Sequence, residues 1–130
     1  MRVPTEWRVR QPFSGRVRIP FVQHCRVEES GRLVPGGLLC DLSTAGAYLR
    51  LHPAPRAGAR LTLSFSLFPG DELPIVAQAE VCWLNVPDAL RVPGLPPGCG
   101  LRFVGLEPHD LDRIQGLVAA YQSAPLTTPA

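Results

Sequence analysis

Asp41, Ser43 and Gly46 stand in the spacing D-x-S-x-x-G, and the first two carry side chains suited to reading a base edge. Residues two apart at the end of an extended strand share a face. A carboxylate beside a hydroxyl can there accept and donate hydrogen bonds, for instance with the N1–H and exocyclic amine of guanine. Gly46 would supply a permissive backbone angle for turning into the next strand. Taken alone, the three residues fit better an Asx or Ser turn that satisfies its own backbone. Their surroundings therefore decide.

Among those surroundings, all 13 cationic side chains are arginine. Each is a planar fork that matches a carboxylate, a phosphate or the guanine edge. Arg2, Arg8, Arg10, Arg16 and Arg18 face only Glu6 in the first eighteen residues, so that segment is locally basic. The overall charge of +2 is too small to indicate non-specific nucleic-acid binding. The strands also lack the exposed aromatic and basic interleaving of a nucleic-acid platform, and no direct nucleic-acid binding is expected.

Other chemistry is poorly represented. Cys25, Cys40, Cys82 and Cys99 include no C-x-x-C pair, which argues against a structural zinc. They are expected as mostly buried thiols in a reducing cytoplasm. His24, His52 and His109 have no metal-assembling spacing, and His24 and Cys25, adjacent on a strand, should point to opposite faces. No nucleophile–base pair or phosphate loop is visible, so no enzyme, cofactor or metal site is expected. Trp83 is expected in the core and Trp7 as a partly buried anchor. No apolar run approaches the ~20 residues of a membrane helix, and no apolar signal region opens the chain. A soluble cytoplasmic protein is expected.

The elements that must position these residues follow from periodicity. At 130 residues, with 45% hydrophobic content, the chain suits one domain with one core. Residues 1–17 lack a sustained period and read as a flexible Arg-rich arm; residues 18–124 form the single domain, and 125–130 a disordered tail. Alternation from Arg18 to Val27 predicts a first strand, and Leu33 to Leu42 a second, bent at Pro35-Gly36-Gly37. Ala47 to His52, Leu61 to Leu67, Ile75 to Val86 and Cys99 to Leu106 supply four more. Leu111, Ile114, Leu117, Val118 and Tyr121 then follow helical spacing. Fifteen prolines, most in turns or tails, favour many short strands. The expected fold is all-β with one C-terminal helix, a six-stranded antiparallel barrel with the helix over one opening.

In this order the motif becomes more specific. An Arg-bearing strand start, then D-x-S-x-x-G, then an apolar alternating strand resembles the PilZ domain family. The ending Pro97-Gly98-Cys99-Gly100-Leu101-Arg102-Phe103-Val104-Gly105-Leu106, followed at once by a helix, is similar to that family's last strand. The resemblance covers about Arg16 to Gln122 and is nearest to the PilZ-like paralogues abundant in myxobacteria and related Gram-negative bacteria. It implies a non-catalytic signalling domain that receives cyclic di-GMP. The family grips this ligand with R-x-x-x-R leading into the first strand and with (D/N)-x-S-x-x-G. Arg18 matches the second arginine, whereas Ser14 occupies the position of the first. Arg16 can substitute from two residues away, and Arg10 can reach back as an arm contact. The implied ligand set is Arg16, Arg18, Asp41, Ser43 and Gly46. One missing bidentate arginine contact to guanine costs about 1–3 kcal/mol, so a weakened site is expected. The alternative is a degenerate PilZ-like protein–protein interaction module that binds no cyclic di-GMP. Either way, the resemblance implies a protein partner in motility, polysaccharide or regulatory machinery.

Overall fold

The computed structural model describes residues 17–123. Among these residues eight strands precede one helix: β1 Ile19–His24, β2 Arg26–Glu29, β3 Arg32–Val34, β4 Leu38–Leu42, β5 Gly46–Arg50, β6 Arg60–Phe65, β7 Ile75–Asn85, β8 Gly98–Leu106 and α1 Pro108–Ser123. All pair antiparallel in one sheet of order β1-β4-β5-β8-β7-β6-β2-β3.

The count is eight, not six, because the first two expected strands each break once. The first breaks at Cys25: before it the chain pairs with β4, and after it with β3 and β6. The second breaks at Pro35-Gly36-Gly37, directly beside the first break. There the Cys25 amide donates to the Gly37 carbonyl at 3.1 Å. A Cβ on Gly37 would lie 2.8 Å from the Cys25 carbonyl oxygen, so only glycine lets the two bends nest. The bent first strand thus joins both flanks of the sheet and curls it into a barrel. Between β2 and β3, Ser30 and Gly31 adopt φ of 53° and 78°, as a tight two-residue hairpin demands.

The interior follows strand alternation. Leu61, Leu63 and Phe65 of β6 stand opposite Ala79, Ala77 and Ile75 of β7, large side chains meeting mostly smaller ones. Val27, Leu39, Leu49, Val81 and Leu101 complete the same buried cluster. Helix α1 adds Ile114 and Val118 to it; burying each such side chain is worth about 1.5–3 kcal/mol. The expected helical stripe narrows toward its end, where Tyr121 is exposed. Asp110 lies in the first turn, where the helix dipole favours a negative charge. Arg113 fastens the helix to the β6–β7 loop through Asp71 at 2.8 Å and the Leu73 carbonyl. Among the described residues, no helix is long and apolar enough to cross a membrane.

Candidate functional site on the outer barrel face

The D-x-S-x-x-G segment connects β4 to β5, and its three marked residues do three different jobs. The Ser43 hydroxyl accepts from the amides of Ala45 and Gly46, both at 3.1 Å, and donates to the Gly46 carbonyl at 3.2 Å. The Ser43 amide bonds that same carbonyl at 2.9 Å. The side chain is buried and spent on its own turn. It does not share Asp41's face.

Asp41 faces outward at a β-bulge, where the β4–β5 register shifts between Leu39 and Asp41. A bulge leaves a ladder amide without its carbonyl partner. Here Asp41 Oδ1 takes the Tyr48 amide at 2.7 Å and also Arg18 Nη1 at 2.8 Å. The carboxylate thus ties the start of β1 to β5.

Gly46 is required for a reason other than the expected one. Its φ is not positive. Instead, a Cβ there would lie 1.9 Å from the Leu101 carbonyl oxygen, because β5 and β8 approach closely where Gly46 pairs with Arg102.

Beside this turn lies a cleft of about 230 Å³, bordered by Arg18, Gly46, Cys82, Trp83, Gly100 and Arg102. Trp83 is there rather than in the core. A second bulge lets β7 advance two residues, Val81 to Trp83, while β8 steps from Leu101 to Gly100. Directly paired residues share a face, so the bulge moves Trp83 from the inner face to the outer one. The ring lies over Gly100, where a Cβ would be 2.0 Å from the indole nitrogen. It also meets Tyr48 at a centroid distance of 5.5 Å and carries the Arg91 guanidinium at 5.6 Å.

Tyr48 is nonetheless fully buried, because the 86–97 loop folds over it. Its hydroxyl donates to the Pro96 carbonyl, and burial pushes the phenol's pKa up, which keeps that donor protonated. Asn85, also buried, holds the loop through the carbonyls of Val92, Leu95 and Pro96 and the amides of Arg91 and Val92.

On the far side of the cleft Arg102 pairs with Glu80. The thiols differ from the expectation of general burial. Cys25 and Cys99 are buried, and desolvation pushes both up to about 12; Cys40 is half-buried and Cys82 exposed. All four are free. His24, His52 and His109 are exposed and scattered, and among the described residues no three His, Cys, Asp or Glu side chains group as metal ligands.

Of the expected ligand set, Arg18, Asp41 and Gly46 come together at one edge of the cleft, with Ser43 behind them as the turn's internal brace. Arg10 and Arg16 lie outside the described residues, as do Trp7 and Ser14. Arg102 and Glu80 were not anticipated. The signal available was Gly98, Gly100 and Arg102 alternating with Cys99 and Leu101, a strand whose first half has one face of two glycines and a cation. No curated protein matches the chain. The sequence model of one family, the PilZ domain, matches residues 10–120.

Proposed function

We propose that this chain, which belongs to the PilZ domain family, is a receptor or adaptor for cyclic di-GMP that acts without a catalytic step. The observation that carries the reading is the Arg18–Asp41 pair at the cleft edge. A guanidinium can grip a phosphodiester or the guanine O6/N7 edge bidentately, and the neighbouring carboxylate can accept from the guanine N1–H and amine. Among the described residues only Oδ1 of Asp41 is engaged, so Oδ2 remains to serve that role. Gly46 lets β5 close on β8 beneath the cleft, and Ser43 fixes the turn that presents Asp41. Arg16 and Arg10 supply further cations to the ligand. The altered surface then changes contact with a protein partner in motility, polysaccharide or regulatory machinery of the cytoplasm.

Isothermal titration of cyclic di-GMP into the folded chain tests this. Saturable heat is expected, with Arg18→Ala weakening binding at least tenfold. No heat at tens of micromolar would reject the reading.

A second reading has its own support. Ser14 supplies no cation, and Arg18 and Arg102 already hold intramolecular carboxylates. This favours a degenerate interaction module whose pairs stand in for the ligand. Ser14→Arg separates the two: a gain in affinity supports the nucleotide site, and a chain that stays silent supports the module.

A further inference from the structure

We infer that Arg102, on the last strand, is the second ligand-gripping arginine of this domain and offsets the cation that Ser14 does not provide. The inference rests on the nucleotide-binding reading above. Cyclic di-GMP carries two phosphodiester charges and two guanines, so one fixed arginine leaves half of the anion unmatched.

Arg102 is placed to meet that need. It pairs directly with Gly46 across β5 and β8, and Gly46 puts no side chain between it and the D-x-S-x-x-G turn. Arg102 and Arg18 border the same cleft. Their side chains are 60% and 47% exposed, so each can reach a ligand from solvent without unpacking the barrel.

Each guanidinium is also oriented by a carboxylate: Arg18 by Asp41, and Arg102 by Glu80 on the adjacent strand β7. An arginine carries five N–H donors, and in both pairs the contact runs through one terminal nitrogen. Among the described residues most of the remaining donors stay available for phosphate or a base edge, Arg102 also meeting Cys82, and the carboxylate limits the rotamers lost on binding. The cleft therefore has an Arg–carboxylate couple at each side, with the Trp83 ring, seated over Gly100, in its lining. That arrangement suits a ligand with two equivalent halves.

The test titrates cyclic di-GMP into the full chain and three variants, with thermal unfolding as a check that each is folded. Arg102→Ala should weaken binding at least tenfold. Arg102→Lys, which keeps the charge and a partner for Glu80 but not the fork, should recover part of that loss. Arg32→Ala removes the same charge on the β2–β3 hairpin and should stay within twofold of wild type. If wild type binds and Arg102→Ala binds within twofold of it, this inference fails while the receptor reading stands. Equal losses in Arg102→Ala and Arg32→Ala would reduce the effect to overall charge and also overturn it. If wild type does not bind, both readings fail together.

Discussion

Two Arg–Asp bridges in this barrel have the same length, 2.8 Å, yet occupy opposite environments. In Asp71–Arg113 the side chains are 3% and 17% exposed; in Arg18–Asp41 they are 22% for the aspartate and 47% for the arginine. Asp71 takes the amides of Leu67 at 2.9 Å and Leu73 at 3.0 Å besides its arginine. These bonds, led by the Leu67 amide, hold its carboxyl below the ordinary range. Both carboxylate oxygens are engaged, two contacts ordering the β6–β7 loop and one holding it to the helix. Asp41 satisfies one stranded amide and, among the described residues, keeps Oδ2 in reserve, and its arginine is about half exposed. Contact distance does not separate a fastening from the pair proposed to bind ligand; solvent access and hydrogen-bonding capacity do.

The contrast is sharpest under truncation. Asp71→Ala strands two amides and Arg113 together, and should lower the unfolding temperature by about 10 °C while leaving nucleotide affinity within twofold. If the temperature holds, Asp71 is no fastening. Asp41→Ala should cost less in stability, about 4 °C for the Tyr48 amide, but weaken cyclic di-GMP binding at least tenfold. A stability loss as large as that of Asp71→Ala, with binding intact, would erase the distinction. Arg18→Ala should move the unfolding temperature by no more than about 2 °C, as exposed pairs do.

Acid gives a finer comparison. Because Asp71 has its pKa depressed on folding, its stabilisation is present above the ordinary value of 3.8 and fades as pH falls through the lower folded value. The gap in unfolding temperature between wild type and Asp71→Ala should therefore stay constant near neutral pH and close below about pH 3.8. A gap that does not narrow at all as pH falls below 3.8 would place the effect in packing rather than charge. The smallest signal is in thiol labelling at pH 8. Exposed Cys82 should react first, while Cys25 and Cys99, pushed up to about 12 by burial, should react only on unfolding.

Much of the architecture is legible along the chain because alternation reports which face of a strand meets the core. Leu61, Leu63 and Phe65 declare an inner face, and the Ile114–Val118 spacing declares a helix that must bury one stripe. Pro35-Gly36-Gly37 marks a bend. What it does not reveal is that Cys25, without proline or glycine, bends to match it, because the matching break is imposed from across the barrel. Trp83 is the clearest miss. It continues an apolar alternation, and one bulge turns that alternation over.

The D-x-S-x-x-G segment shows where the two kinds of information divide. Residue identity alone determined that a polar turn with a carboxylate, a hydroxyl and an obligatory glycine joins two strands, since these types compete for few other conformations. Only the tertiary structure decided their roles. Ser43 turned inward because the turn's own amides claimed it, Asp41 outward because a bulge stranded the Tyr48 amide, and Gly46 was required by the carbonyl of a strand more than fifty residues away. Arg102 came to face that glycine by strand pairing, a relation between distant segments that local periodicity does not carry.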